Sequence, residues 1–348
     1  MSDKTFSRKL AEFAADTSFS SLPEAVVHQA RRCLLDTVGV IIAGSAMADS
    51  AQAIQGFVKK CAPAGKASVI GTLLKTDSAH AALANGVAAH ALELDDGSKY
   101  ATYHPGASMI PAALALAEER GATVEDVLLA IALGYEVSLR IGTSVNPSHY
   151  LKGFHPTGTV GTFGTTVVSA SLLGLNADEL VSAIGIVGSL AAGINQYEID
   201  GSFVKHLHPG NAARNGMFAA LLAQNGFTGP EEILEGRLGF AHCFSDTFNP
   251  SILEKDLGEK WEFQKIYFKP YCSCRYVHYA VEAVENILRG HPMTMDDIQS
   301  IRVLTHKNAK QGSDIPDCAS CQTEPSVRHG FHDRAGKSRS PGIHGREY

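Results

Sequence analysis

Apolar side chains over roughly the first 250 residues recur at the three- and four-residue spacing of one helix face. The first stripe runs through Phe6, Leu10, Phe13 and Ala14. A second helix is expected after Pro23, because proline fits the first helical turn, and it carries the apolar positions of 26–41. After a short extended piece at 67–71, further helices are predicted over 77–94, 107–119, 124–144, 159–173, 177–193 and 211–225. The pattern predicts a mainly α fold.

The periodicity changes near Trp261. Residues 263–268 and 298–305 are predicted as strands, and a helix is predicted between them over 277–288. From Cys318 onward neither period survives. We therefore expect a large all-helical domain over 1–258, an incomplete α+β lid domain over 259–317, and an aberrant, unstructured tail over 318–348. A sheet that is begun and not completed indicates a C-terminally truncated or frame-shifted chain.

Histidine-proline pairs precede long apolar runs at three places: His104-Pro105, His155-Pro156 and His208-Pro209. Since proline is pre-set for the first helical turn, each pair predicts a helix start with an imidazole beside it. Unpaired N–H groups at a helix start attract anions. Acidic residues precede the first pair, and Lys205 precedes the third. The combination predicts a site for an anionic substrate with several acid and base groups.

Two common classes of site do not fit the sequence. Gly158, Gly161 and Gly164 lack the spacing of a dinucleotide-binding loop and follow no strand, so we expect them at a helix contact. The pairs Cys272-x-Cys274 and Cys318-x-x-Cys321 fit a zinc site poorly, because the first has only one spacer residue. We therefore predict no metal site, and seven cysteines without a secretory signal predict reduced thiols.

Composition restricts the partners and the location. A net charge of −6 and a pI of about 6.2 argue against nucleic acid as a partner. We expect no stretch long enough to span a membrane and no membrane partner. The N-terminus mixes acidic and basic residues, unlike a signal or transit peptide, which predicts a cytoplasmic protein.

Four segments together resemble the MmgE/PrpD family: LELDD followed by HPG within 92–106, GFHPTGTVG at 153–161, KHLHPGNAARNG at 205–216 and FKPYCSCR at 268–275. That family includes 2-methylcitrate dehydratase, cis-aconitate decarboxylase and iminodisuccinate epimerase. The likeness covers about residues 5 to 316. It implies a large all-helical domain, a smaller α+β lid, a homodimer, and catalysis with no metal or organic cofactor.

The resemblance also assigns site residues. His104 and His155 match the family's active-site histidines, Lys205 matches its lysine, and Asp95 and Asp96 match its acidic motif. The predicted catalytic groups are His104, His155, Lys205 and Asp96. The predicted substrate-binding groups are Glu93, Asp95, His208, Arg275 and Cys272. This chain departs from the decarboxylase branch at Glu93 and Gly97, and again at Tyr271-Cys272, where that branch has a histidine.

The predicted function is that of a cofactor-independent lyase on a small di- or tricarboxylate. It resembles 2-methylcitrate dehydratase or a related decarboxylase, and a base would remove a proton next to a carboxylate. An epimerase or isomerase of a dicarboxylate would use the same abstraction step. A second alternative is an inactive, truncated member that serves as a dimeric binding or remnant protein.

Overall fold

The computed structural model describes residues 4–304. Within them two short antiparallel strands pair Ala67 with Thr76, namely β1 (Ala67–Ser68) and β2 (Lys75–Thr76). The α-helices before these strands are α1 (Phe6–Asp16), α2 (Glu24–Met47) and α3 (Asp49–Cys61). Those after them are α4 (Ser78–His90), α5 (Gly106–Arg120), α6 (Val124–Val145), α7 (Ser148–Leu151), α8 (Pro156–Leu173), α9 (Ala177–Gly188), α10 (Tyr197–Asp200), α11 (Val204–Gln224), α12 (Phe240–Phe244), α13 (Ser251–Glu254) and α14 (Arg275–Gly290). The predicted mainly α fold is confirmed.

Helices α6 and α8 form the centre of the core, and most residues of both are buried. A helix that is buried on every side is apolar all round. Helix α6 is accordingly long and apolar enough to cross a membrane by length and composition, although 89% of its apolar window is buried inside the protein. The expectation that no stretch reaches this length is therefore wrong, and α6 is a core helix of the described fold.

Glycines let the helices around the site approach closely. A Cβ on Gly86 of α4 would lie 2.6 Å from the Cα of Gly210 in α11. In α8, a Cβ on Gly161 would lie 2.9 Å from the Ser108 side chain, so the predicted glycine helix contact is confirmed. Larger residues would separate these helices, and with them the side chains that they carry.

Two of the three predicted helix starts are confirmed. Helix α5 begins at Gly106 after the N-cap Pro105, and α8 begins at Pro156 with His155 as its N-cap. The third is wrong, because α11 begins at Val204 and contains Pro209 in its second turn. Packing of α11 against α4 and α8 outweighs the backbone hydrogen bond that this proline cannot donate.

The acidic motif is not helical. The helix predicted over 77–94 ends at His90, and Glu93 has a left-handed backbone with φ of 53°. The prediction of a helix as far as residue 94 is therefore wrong, and Glu93 and Asp96 do not lie one helical turn apart. Both are buried, and their carboxylates turn inward from an irregular loop toward partners on other elements.

The strand predicted at 263–268 is also wrong. Residues Glu262–Lys265 form a 3₁₀ turn in which Phe263 is buried. Ile266 and Lys269, after the turn, are buried as well. Tyr267 makes an isolated bridge to Gly97. Residues 298–304 form no regular structure, so the second strand is absent from the part described, whereas the helix predicted at 277–288 is confirmed as α14. The predicted tail at 318–348 lies outside the described residues, and the domain boundaries stay predictions.

Candidate active site

Side chains from four parts of the chain meet in one buried cluster. The end of α4 supplies His90, the following loop supplies the acidic residues and His104, the start of α8 supplies His155, and the start of α11 supplies Lys205. The ring centroids of His104 and His155 lie 5.1 and 5.8 Å from that of His90. Tyr197 lies between His155 and Lys205. Its ring centroid is 5.3 Å from that of His155 and 5.6 Å from the Lys205 ammonium nitrogen. Three predicted catalytic groups are thus brought together.

The hydrogen bonding of His104 leaves one of its ring nitrogens, Nε2, free to accept a proton. Its Nδ1 lies 2.7 Å from the backbone oxygen of Asp96 and 3.6 Å from Oδ2 of Asp95. Since a carbonyl oxygen only accepts, Nδ1 carries the hydrogen and Nε2 presents a lone pair. Burial, together with the nearby Lys269 ammonium, lowers the pKa of His104 to about 3. The imidazole is therefore neutral at neutral pH and can act as a base.

Asp95 holds the ring of His90. The Asp95 carboxylate is fully buried, and its Oδ2 lies 2.7 Å from Nδ1 of His90. Burial by itself would raise the pKa of Asp95. The neighbouring His90, His104 and Lys269 lower it by a larger amount, so that the pKa is about 2. Asp95 is therefore ionised and accepts a hydrogen bond from His90 Nδ1. The Nε2 of His90 is buried and has no hydrogen-bond partner among the described residues.

His155 forms a second pair, with His208. Their Nδ1 atoms lie 2.8 Å apart, so one ring donates and the other accepts. Burial lowers the pKa of His155 well below its ordinary value and that of His208 to about 4. Both rings are neutral at neutral pH. The structure thus brings His208, a predicted substrate-binding residue, directly onto His155.

Two lysines converge on Glu93. The Lys205 ammonium lies 2.5 Å from Glu93 Oε1 and forms an ion pair with it. Lys269 donates to the Glu93 backbone oxygen at 2.9 Å and lies 3.6 Å from Oε2. Burial lowers the pKa of Lys205, but Glu93 raises it above its ordinary value. Lys205 is therefore a fixed cation suited to binding a carboxylate, rather than a base.

Asp96 lies at the start of α5. Its Oδ1 accepts from the Gly106 N–H and its Oδ2 from the Tyr135 hydroxyl, each at 2.8 Å. Burial raises the pKa of Asp96 to about 7, although the two hydrogen bonds act to lower it. Both oxygens are occupied in fixing the loop that carries His104. The catalytic role of Asp96 stays a prediction, and its contacts are those of a positioning residue.

Arg275 opens α14 beside the acidic loop. Its guanidinium lies 4.0 Å from the ring centroid of Tyr267 and donates to the Tyr279 hydroxyl at 3.3 Å. The backbone of Tyr267 exchanges two hydrogen bonds of 3.0 Å with Gly97. Arg275 is thus tied to the loop of the site, and its contact with substrate stays a prediction.

The two cysteines of the same segment differ in position. Cys272 is half-buried in the turn before α14, and its predicted contact with substrate stays a prediction. Cys274 is the N-cap of α14, and its thiol interacts electrostatically with Lys205 and Glu93. Burial raises the pKa of Cys274, so this thiol is neutral.

One group of side chains has the composition of a metal site. His90, Asp95 and His104 offer ligand atoms within 4.8 Å of one another. Hydrogen bonds already join His90 to Asp95 and His104 to the Asp96 carbonyl, and the Lys269 ammonium lies 3.9 Å from Asp95 Oδ1. The Lys269 ammonium already supplies the positive charge with which a metal cation would neutralise this carboxylate. The geometry fits hydrogen bonding rather than coordination.

Three buried members of the cluster are not among the predicted catalytic and substrate-binding residues. His90 and Lys269 contact the acidic motif directly, and His206 lies with its Nδ1 2.9 Å from the Ser50 hydroxyl. The sequence contains a signal for two of them, since Lys269 lies within the FKPYCSCR segment and His206 within KHLHPGNAARNG. His90, three residues before Glu93, is a lone imidazole in an apolar run and has no pattern of its own.

Comparison with known proteins identifies the family. Residues 8–253 match the model of the MmgE/PrpD N-terminal domain. This match covers more than half of the chain, and the chain belongs to the MmgE/PrpD family.

Similar proteins carry names from one branch of that family. The chain is 30% identical over 314 residues to the cis-aconitate decarboxylase-like protein oryM of Aspergillus oryzae, covering 85% of this chain and 65% of the relative. It is 31% identical over 297 residues to cis-aconitate decarboxylase of Aspergillus terreus, covering 82% and 60%. The human cis-aconitate decarboxylase is 29% identical over 274 residues, covering 76% and 56%. The chain thus spans about three-fifths of the length of these relatives.

Proposed function

We propose that this protein is a lyase of the dehydratase or decarboxylase type that acts on a small di- or tricarboxylate. One observation carries the proposal: two lysine cations, an imidazole–carboxylate pair (His90–Asp95) and a pair of neutral imidazoles (His155–His208) meet in a single buried cluster. Lys205 and Lys269 supply the charge that binds carboxylates. His104 and His155 supply bases for a carbon-bound proton.

The same groups serve either elimination. In a dehydration, an imidazole takes the proton from carbon, the C–H electron pair forms the double bond, and the C–O bond breaks. An acid then protonates the departing hydroxide to water. In a decarboxylation, the C–C bond to a carboxylate breaks, carbon dioxide leaves, and an imidazolium protonates the carbanion. In both, Lys205, Lys269 and the N-termini of α5 and α8 stabilise the developing negative charge.

Substrate binding supplies the acid. In the unliganded site, burial keeps His104 and His155 neutral, since it lowers the pKa of both rings. The carboxylates of a bound substrate bring negative charge within a few ångströms, and such charge raises the pKa of an imidazole. A polyanion therefore draws protons into the cluster on binding, and one ring becomes available as an acid.

The test is incubation of the 348-residue chain with 2-methylcitrate, cis-aconitate and iminodisuccinate, followed by separation and mass analysis of the products. We expect elimination from one of them, and a loss of about 10²- to 10³-fold in turnover for Lys205→Ala, because it removes a group that stabilises transition-state charge. Epimerisation of iminodisuccinate without elimination would favour the epimerase. No turnover of any compound would overturn the lyase and favour the inactive alternative.

We further propose that the protein is a homodimer, as the resemblance implies, and that it is cytoplasmic, as the mixed charges near the N-terminus indicate. Phe203, Val204 and Leu207 support the dimer, because these large apolar side chains are exposed at the start of α11. Sedimentation analysis of the purified chain should give twice its mass of 37.0 kDa. A concentration-independent mass of 37.0 kDa would contradict the dimer.

A further inference from the structure

His90 has an unpaired nitrogen at the centre of the cluster. Its side chain is completely buried, and its Nε2 has no hydrogen-bond partner among the described residues. A buried polar atom without a partner costs about 1–3 kcal/mol, and such atoms in a native protein require an explanation. The neighbouring imidazoles of His104 and His155 lie 5.1 and 5.8 Å away, between centroids. The unpaired atom is therefore in the candidate active site rather than in the general core.

The other ring nitrogen of His90, Nδ1, is held in place by an ionised side chain. Nδ1 donates to the buried carboxylate of Asp95 at 2.7 Å. A carboxylate on one nitrogen of an imidazole sets the tautomer, orients the ring, and stabilises the positive charge that appears when the other nitrogen is protonated. The Asp95–His90 pair is thus built to accept a proton at Nε2.

The charges around His90 are balanced in the unliganded site. The groups that act on it electrostatically are Glu93, Asp95, His104, His155, His206 and His208. The histidines in this set whose pKa is shifted are neutral at neutral pH, and Lys205 and Lys269 offset the carboxylate of Glu93. A bound polycarboxylate adds negative charge to this balance and favours a new cation inside the cluster.

We propose that His90 is a further catalytic residue, the acid of an Asp95–His90 dyad. When a polycarboxylate binds, Nε2 takes a proton from solvent and donates a hydrogen bond to a substrate oxygen. In a dehydration this proton passes to the departing hydroxide and forms water, and Nε2 recovers its lone pair. The role rests on the proposed lyase function, whereas the uptake of the proton on binding does not require turnover.

Proton uptake is measured first, with tricarballylate as a tricarboxylate that has no hydroxyl to eliminate. Calorimetric titrations at pH 7.5 in two buffers of different ionisation enthalpy give the number of protons taken up on binding. We expect His90→Asn to take up about one proton fewer than the unchanged protein. His28→Asn, which removes an exposed imidazole of α2, is the control and should match the unchanged protein.

Two substitutions then separate the nitrogens of His90. The amide nitrogen of asparagine can occupy the place of Nδ1, so His90→Asn keeps the bond to Asp95 and loses Nε2. His90→Gln places an amide near Nε2 and loses the bond to Asp95. For a catalytic Nε2 we expect kcat of His90→Asn to fall by about 10²-fold or more, with the alkaline limb of the pH–rate profile changed, because a general acid must be protonated to act. A purely structural histidine gives the opposite order, with near-normal turnover for His90→Asn and damage for His90→Gln.

The outcomes distinguish this proposal from the proposed function. Normal proton uptake together with normal turnover in a folded His90→Asn protein would overturn the dyad and leave the lyase intact. Reduced uptake in a His90→Asn protein, together with binding of tricarballylate but no turnover by the unchanged protein, would support proton uptake by the Asp95–His90 pair and overturn the lyase, and with it the catalytic role of His90. Absence of binding by the unchanged protein would overturn both.

Discussion

The ammonium of Lys269 donates a hydrogen bond of 2.9 Å to the backbone oxygen of Glu93, a residue 176 positions earlier in the chain. Glu93 has a left-handed backbone at φ of 53°, which costs a residue with a side chain about 1–2 kcal/mol. The same ammonium lies 3.6 Å from the Glu93 carboxylate. Lys269 therefore holds the acidic loop in a strained conformation and attaches the segment after α13 to the site.

Replacing Lys269 with methionine should destabilise the protein strongly. The substitution keeps the length of the side chain but leaves Glu93 and Asp95 with one buried cation fewer, and breaking a buried pair costs about 3–5 kcal/mol. Urea unfolding measures the loss. Lys265→Met is the matched control, because Lys265 forms an exposed pair with Glu262, and it should change stability by less than about 1 kcal/mol. Equal stability of the two variants would contradict this role of Lys269.

Stability should fall in acid between about pH 6.5 and pH 4. Burial lowers the pKa of His149, His206 and His208 to about 4, whereas an unfolded histidine titrates near 6.5. In this window the unfolded chain binds more protons, so the free energy of unfolding decreases as the pH falls. Three carboxyls act in the opposite direction, because burial raises the pKa of Asp96 to about 7, that of Asp36 to about 6 and that of Glu136 above its ordinary value. The histidines outnumber them, since burial also lowers the pKa of His104 and His155. Urea unfolding across this range should give a positive slope of stability with pH.

His149 allows that slope to be assigned to one ring. Its Nδ1 donates to the Phe244 carbonyl at 3.0 Å, and its Nε2 lies 2.7 Å from the Thr159 hydroxyl. Burial lowers the pKa of the ring to about 4, so His149 is neutral in the fold at neutral pH. His149→Asn should reduce the slope by about one proton, or about 1.4 kcal/mol per pH unit. The readout is the slope rather than the stability itself, which the substitution also lowers. An unchanged slope would contradict the assignment.

The sequence predicted the helices and the local chemistry better than the path of the chain. Two His-Pro helix starts were predicted correctly, because proline and the N-cap act within one turn. The start of α11 was missed, since its extension past Pro209 depends on packing against α4 and α8, which no local rule contains. The strand at 263–268 was predicted wrongly, because buried Phe263 in a 3₁₀ turn and buried Ile266 just after it resemble alternation over so short a segment.

The site was predicted in part for the same reason. The family motifs contain His104, His155 and Lys205, which the structure brings into one cluster. His90 was missed because a single histidine in an apolar run has no pattern of its own. Its position depends on where α4 ends and on the turn that brings Asp95 back to it, and both are tertiary features.

Chelators should leave turnover unchanged. The cations that face the carboxylates of the cluster are lysine ammonium groups, and the nitrogens of His90 and His104 nearest Asp95 are already hydrogen-bonded. Dialysis against EDTA should therefore preserve the rate on whichever substrate is turned over, while Lys205→Ala in the same assay lowers it. A rate that EDTA abolishes and a divalent cation restores would contradict charge stabilisation by lysine.

Close contact between α4 and α11 should be required for both stability and activity, and Gly210→Ala tests it. A Cβ at Gly210 would lie 2.4 Å from the Leu83 backbone oxygen, so the helices must separate, at a cost of about 1–3 kcal/mol. Because α4 ends at His90 and α11 begins beside Lys205, their separation should also lower kcat.

The matched control is Gly56→Ala in the exposed face of α3, where a Cβ meets nothing within 4 Å. There alanine should stabilise the protein by about 0.5–1 kcal/mol, through its higher helix propensity, and leave turnover unchanged. Thermal and urea unfolding, with rate measurements in parallel, compare the two variants. If both Gly210→Ala and Gly56→Ala stabilised the protein, the packing argument would be contradicted.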